Sequence, residues 1–205
     1  DECAMLAGSG PLILALPGSR KAEVTRLAPV IGAVLGKIKA VHPHARVAMP
    51  TVRGVAQLVR DLSADWGMKP LIIEDAVQKR AAFAMADVAI AASGTVSLEL
   101  AANACPMVIA YDMHPLSLWL MRRAALIDTV TLVNLVSDTR VVPEFIGRAC
   151  RADLIAPALL GLLAAPQQQD DAMRLTMQRL GQGGEPPGLR AARSVLSVLP
   201  LALGR

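Results

Sequence analysis

The chain has 205 residues, 54% of them hydrophobic and 2% aromatic, with a formal net charge of +4. That is too apolar for a disordered segment and long enough for one large domain or two small ones. Lysine and arginine are scattered, with no basic helix interleaved with aromatics, so no nucleic-acid partner is expected; a small anionic ligand or an anionic membrane surface suits the charge.

In chain order, residues 12–16 read as a buried strand closed by Pro17-Gly18. Val24, Leu27, Ala28, Ile31, Val34, Leu35 and Ile38 then recur at helical spacing and mark one face of a long amphipathic helix. Residues 46–49 form a strand, and Val52, Val55, Leu58, Val59 and Leu62 line the next helix. A strand at 71–73, a helix at 78–85, a strand at 88–92, a helix at 95–103, a strand at 107–111 and a helix at 116–125 follow. Residues 129–133, rich in β-branched side chains, are a candidate sixth strand. This alternation predicts an α/β fold, a Rossmann-like parallel sheet covered on both faces. Beyond Pro143 the pattern is all-helical, over 151–164, 170–180 and 189–199, with a flexible connector at 181–188. The expected division is a Rossmann-like lobe over 1–148 and a helical tail over 149–205, packed on the same or a neighbouring lobe or subunit.

In open parallel sheets ligands bind beyond the carboxyl ends of the strands, so the loops after Leu16, Ile73, Ala92 and Tyr111 are the ones to read. The first is Pro17-Gly18-Ser19-Arg20-Lys21. Gly18 permits a tight turn, and the free N–H groups of a helix start attract an anion. Two cations at a helix N-terminus are unfavourable by about 0.3–1 kcal/mol each. A bound diphosphate, with Arg20 donating bidentate hydrogen bonds, removes that conflict. A Ser19 N-cap followed by solvated charges, offset by Glu23, accounts for the same residues, and both readings stay open.

The second loop, Ala92-Ser93-Gly94-Thr95, repeats the arrangement. Glu99 lies four residues after Thr95, on the same helical face and roughly 5–6 Å away. Helical side chains lean toward the N-terminus, so Glu99 can reach the hydroxyls of a ligand held there, and a ribose fits. A capping box needs its acid three residues after the hydroxyl, and position 96 is Val. A salt bridge is the better competing role for Glu99.

No G-x-G-x-x-G follows a strand, and there is neither a Walker sequence nor a D-x-D pair. No dinucleotide cofactor is expected, and no metal: Arg20 and helix dipoles would neutralise a diphosphate. His42 and His44 flank Pro43 in a connector where a metal is not expected, and His114 has no G-x-S-x-G partner for a hydrolase triad. Cys3, Cys105 and Cys150 show no C-x-x-C spacing, which argues against a disulfide framework or zinc site and for a reducing compartment. No run of about 20 apolar residues is present to span a bilayer. The helix at 116–125, ending in Arg122-Arg123, suits a core-facing role or contact with a membrane or acyl chain. The first residue is Asp1, with neither a Met nor a signal peptide, as expected of part of a longer chain.

Three segments together resemble lipid-A-disaccharide synthase: Leu-Pro-Gly-Ser-Arg-Lys-Ala-Glu-Val (16–24), Ala-Ser-Gly-Thr-Val-Ser-Leu-Glu (92–99) and Cys-Pro-Met-Val-Ile-Ala-Tyr (105–111). The likeness continues through His114-Pro115-Leu116, Asn134-Leu135, Arg140 and Val142-Pro143-Glu144, with Asp112 and Val133 standing where that family usually has Arg and Pro. The resemblance implies the C-terminal, UDP-binding lobe of a two-lobed, B-type glycosyltransferase. Such an enzyme joins UDP-2,3-diacylglucosamine to 2,3-diacylglucosamine 1-phosphate, giving the lipid A disaccharide and UDP. On that footing Gly18, Ser19 and Arg20 face the diphosphate with Ser93, Gly94 and Thr95. Glu99 holds the ribose, Asp75 and Ala76 edge the uracil, and Asn134 and Arg140 contact the donor, Arg20 and Asn134 being the candidate catalytic residues.

The partners implied are the UDP-diacylglucosamine donor, the acylated acceptor held by an N-terminal lobe absent from this chain, the inner-membrane surface, and a second copy in a homodimer. The location implied is cytoplasmic and peripheral on the inner membrane, with the chain by itself inactive. The competing readings are a UDP-N-acetylglucosamine 2-epimerase, another B-type glycosyltransferase, or a non-catalytic nucleotide-binding module.

Overall fold

A computed structural model describes residues 6–112 and 128–198. Six strands form one parallel sheet: β1 (Leu12–Leu16), β2 (Arg46–Pro50), β3 (Leu71–Ile73), β4 (Val88–Ala91), β5 (Met107–Tyr111) and β6 (Glu144–Ile146), in the spatial order β3-β2-β1-β4-β5-β6. Strand order reverses between β1 and β4, so the chain winds outward from that line in both directions. This is the doubly wound, Rossmann-like arrangement expected from the alternation of elements.

Helices cover both faces: α1 (Lys21–Val41), α2 (Arg53–Ser63), α3 (Ala76–Met85), α4 (Val96–Ala102), α5 (Leu132–Ser137), α6 (Ala152–Ala164), α7 (Asp170–Arg179) and α8 (Pro187–Val198). Alternate strand residues point to opposite faces. Ile13, Ala15, Val47, Met49, Val88, Ile90, Val108 and Ala110 meet α1, α2 and α6 on one side. Leu12, Leu14, Leu16, Ala48, Ala89, Ala91, Met107 and Ile109 meet Ala82 and Phe83 of α3, Leu100 of α4, Val133 of α5 and Met173 of α7 on the other. The buried residues of α1 are the seven whose spacing marked its face. On α2, Val55 and Val59 are buried, whereas Val52 is the N-cap and half exposed.

Past β6 the chain remains part of this lobe. Ile155, Leu159 and Leu162 of α6 complete the core on the α1 face, and Ala172 and Met173 of α7 complete the other. Helix α8 is exposed from Gly188 to Ser197. Among the described residues, no helix is long and apolar enough to cross a membrane.

The sixth strand is not where β-propensity placed it. Thr131 caps α5, and β6 is instead Glu144–Ile146, paired with β5 through Ile109↔Glu144, Ala110↔Phe145 and Tyr111↔Ile146. The reason lies in Glu144. Its carboxylate accepts the Val130 and Thr131 N–H groups, at 3.1 and 2.9 Å, and the Thr129 hydroxyl. Amides bound to a side chain are withdrawn from any ladder. Three residues of strand carry too little alternation to register as a period, so the pattern beyond Pro143 shows helices alone. The expected helix at 116–125, with Arg122 and Arg123, and His114 and Cys3 lie outside the described residues.

Candidate functional site

The two glycine turns open side by side. Leu16 of β1 pairs with Ala91 of β4, and the Ala92 N–H donates to the Leu16 carbonyl at 2.8 Å. The 17–20 and 92–95 loops therefore leave neighbouring strands, a spacing of about 4.8 Å, at the line where strand order reverses. Arg20 and Thr95 lie on the same edge of the sheet.

In the first turn Gly18 has φ +110°, and a Cβ there would fall 2.5 Å from Glu23 Oε2. That contact reveals what fills the turn. Glu23 Oε2 accepts the N–H groups of Ser19 (3.2 Å) and Arg20 (3.3 Å), and its Oε1 accepts from the Arg20 guanidinium at 2.8 Å. The N-cap of α1 is Arg20, not Ser19 as the solvated-charge reading supposed. An internal carboxylate thus occupies the anion position of this helix start. The Arg20 side chain is 80% exposed, and an ion pair so exposed is readily exchanged for another.

In the second turn Gly94 has φ +144° with open space where a Cβ would project, and Thr95 is the exposed N-cap of α4. The buried Ser97 hydroxyl donates to the Gly94 carbonyl at 2.8 Å, fixing the turn from below. The Ser93 hydroxyl donates to the Val130 carbonyl at 2.9 Å, tying this loop to the segment ahead of α5. Glu99, in the first turn of α4, pairs with Lys79 of α3 at 2.7 Å. The salt bridge weighed against ribose binding is therefore present. One carboxylate can hold both, because it offers about four lone-pair sites and Lys79 takes Oε2 alone.

Asp75 and Ala76, both exposed, follow β3 on the same edge. Asp75 is the N-cap of α3, its Oδ1 accepting from Val77 (2.8 Å) and Gln78 (2.9 Å). The Gln78 N–H, then that of Val77, holds its carboxyl below the ordinary value. Beyond β5, Arg140 pairs with Asp128, which holds the Asp128 carboxyl down in the same way.

Asn134 is placed differently from the rest. It is 1% exposed, its Nδ2 donates to the Val142 carbonyl (2.9 Å) and its Oδ1 accepts the Val142 N–H (3.0 Å). A buried amide committed at both ends braces the α5–β6 loop. Both ends of the amide expected to contact the donor are thus engaged by the chain's own backbone.

Gln169 does likewise, buried and bonded through both amide atoms to the backbone of Met107 in β5 (2.9 and 2.8 Å). Burial pushes the Cys105 thiol up to about 12 and Cys150 to about 11, so neither supplies a thiolate near neutral pH. Sequence reading missed Lys79 and Gln169, and named Glu144 only as part of the family resemblance. Of these only Lys79 carried a usable signal, as a cation one helical turn past Asp75 on the helix that leaves the loop after β3.

A family model described as lipid-A-disaccharide synthetase matches residues 3–193. Over 201 residues the chain is 55% identical to the lipid-A-disaccharide synthase of Ruegeria pomeroyi, covering 94% of this chain and 50% of that protein. Over 197 residues it is 41% identical to that of Rhodospirillum centenum, covering 95% and 49%. The chain spans about half the length of the curated relatives it matches. Among solved structures, the UDP-GlcNAc 2-epimerase of Neisseria meningitidis bound to UDP-GlcNAc has a TM-score of 0.57 at 12% identity, covering 91% of this chain and 45% of that one. The ADP-heptose LPS heptosyltransferase II of E. coli has 0.57 at 12% identity, covering 81% and 51%. At those identities they establish a common fold, that of the B-type glycosyltransferases, and nothing narrower.

Proposed function

The chain belongs to the lipid-A-disaccharide synthetase family, and from that premise we propose that it is the half of such an enzyme that binds the UDP-sugar donor and stabilises departing UDP. The observation that carries this is the pair of glycine turns opening helices at adjacent strand ends, where the order of strands reverses.

In this reading the donor diphosphate lies between the turns. It takes the Ser19 and Arg20 amides and the Arg20 guanidinium from Glu23, and adds the amides of Gly94 and Thr95. Glu99 receives the ribose hydroxyls, and the exposed start of α3 at Asp75 and Ala76 edges the uracil. Arg140 stands at the sugar end, while Asn134 acts indirectly by holding the loop tethered to Ser93. No D-x-D pair is offered for a divalent ion, so the reading gives the leaving group's charge to Arg20 and the two helix starts.

The reaction is inverting hexosyl transfer. The acceptor 6-hydroxyl oxygen bonds to the anomeric carbon of UDP-2,3-diacylglucosamine, and the anomeric carbon–oxygen bond to the β-phosphate breaks with its electrons going to UDP. The hydroxyl proton passes to a general base outside this chain, on the half that holds 2,3-diacylglucosamine 1-phosphate. Acylated substrates place the complete enzyme on the cytoplasmic face of the inner membrane, a location that follows from the substrates and not from any span in this chain.

Calorimetric titration with UDP is expected to show weak binding that Arg20→Ala removes, with no disaccharide formed by the chain alone. UDP binding untouched by Arg20→Ala would leave a vestigial nucleotide module instead. Disaccharide synthesis by this chain alone would overturn the half-enzyme reading.

A further inference from the structure

We propose that Lys79 is a positioning residue that presents the Glu99 carboxylate to the ribose, and so sets the preference of this site for a ribonucleotide over its 2′,3′-dideoxy form. This rests on the reading of the β1/β4 crevice as the donor site.

The Lys79 ammonium lies 2.7 Å from Glu99 Oε2 and 5.2 Å from the centroid of the Phe83 ring. Phe83 is buried, so one partner of the lysine is fixed by the core. A cation held over an aromatic face has a defined position where a free lysine would sweep through solvent. Glu99 has no comparable anchor. Its other hydrogen bonds use the backbone: the N–H donates to the Thr95 carbonyl and the carbonyl accepts from the Asn103 side-chain amide. The two side chains are similarly exposed, 41% for Lys79 and 48% for Glu99, so what distinguishes them is the buried ring under the cation, and through it the cation sets where the carboxylate stands.

Placement adds the functional sense. The Lys79 N–H donates to the Asp75 carbonyl at 2.9 Å, so Lys79 sits one turn from the exposed start of α3. Glu99 sits one turn from Thr95, the N-cap of α4. A single contact thus couples the base-side helix to the residue expected to face the sugar. With Oε2 held by Lys79, Oε1 remains free to accept from a ribose hydroxyl. Lys79 also offsets a negative charge that would otherwise stand beside an incoming diphosphate.

The test is calorimetric titration of the chain and its Lys79→Met, Lys79→Arg and Glu99→Gln variants with UDP and with 2′,3′-dideoxy-UDP. Lys79→Met is expected to lower the preference for UDP over the dideoxy form about threefold, the size of effect an exposed pair supports. Lys79→Arg should restore it, and Glu99→Gln should lower it at least as far. An ion pair that merely joins α3 to α4 would lower the melting temperature and leave that ratio unmoved. If Glu99→Gln lowers the preference and Lys79→Met does not, the positioning role is overturned while the donor site stands. If neither variant alters UDP binding, the site assignment falls and takes this inference with it.

Discussion

At the β1/β4 end of the sheet the polar side chains stand in solvent beside the two glycine turns: Arg20 is 80% exposed and Glu99 about half. Past β5 two amides turn inward, Asn134 and Gln169, 1% and 0% exposed and with every side-chain amide atom bonded to backbone. Both regions are rich in hydrogen-bonding residues, and both carry stretches that a family comparison would single out. What separates them is residual capacity. Arg20 and Glu99 hold partners at the surface that a ligand can replace for little loss, because exposed pairs contribute about 0–1 kcal/mol. Asn134 and Gln169 cannot release theirs without stranding buried backbone groups. A conspicuous polar residue in a lobe of this fold is therefore either available to a ligand or a clamp on the chain, and burial with its partners tells which.

The sharpest way to break that contrast is to cut a clamp. Asn134→Ala leaves the N–H and C=O of Val142 without their side-chain partner and opens a small void. It is expected to lose about 2–4 kcal/mol of stability by urea denaturation, with UDP affinity of the folded protein changed less than twofold. A large fall in affinity at unchanged stability would return Asn134 to direct contact with the donor. Next in size, Arg20→Ala removes a charge-assisted donor and is expected to weaken UDP about ten- to hundredfold, while its denaturation midpoint scarcely moves. The opposite signature, lost stability with intact binding, would make Arg20 a cap and nothing more.

The same contrast explains what was legible in the sequence. Strands β1, β3 and β5 and the buried face of α1 were readable because each is a local pattern, a short apolar run or a 3.6-residue repeat. The glycine turns were readable because positive φ at Gly18 and Gly94 is a local demand. Residues 129–133 were misread because the deciding partner, the Glu144 carboxylate, lies more than ten residues away. The burial of Asn134 was hidden for the same kind of reason: its partner is Val142, and no local pattern says whether an amide points at a ligand or at the chain. Gln169 reaches Met107 across 62 residues, which no window on the sequence spans.

A smaller effect sharpens the picture of the open side. Glu23 occupies the amides of Ser19 and Arg20 that a diphosphate would need, so it acts as a resident competitor. Glu23→Gln keeps most of the side chain's shape and removes its charge. UDP affinity at low salt is expected to rise about two- to fivefold, the scale of an exposed charge interaction. A fall would mean that the carboxylate builds the turn and that the diphosphate binds beside it.

The smallest expected effect concerns Asp75, which belongs to the open side by position and to the clamps by its bonds. Its carboxyl is held below the usual 3.8 chiefly by the Gln78 and Val77 amides, so the folded state binds its proton less readily than the unfolded chain does. A carboxylate depressed in this way adds stability that is present above about pH 4 and is lost as pH falls through its folded value. Asp128, held down by Arg140, titrates in the same window, so the informative quantity is the difference between the wild type and Asp75→Asn. Asn remains a good N-cap but carries no charge to titrate. The wild type should be the more stable at pH 6, and the gap should close as urea denaturation is repeated toward pH 2. A gap independent of pH would mean that the Asp75 carboxylate does not cap α3 in solution, leaving it as free for a ligand as Arg20.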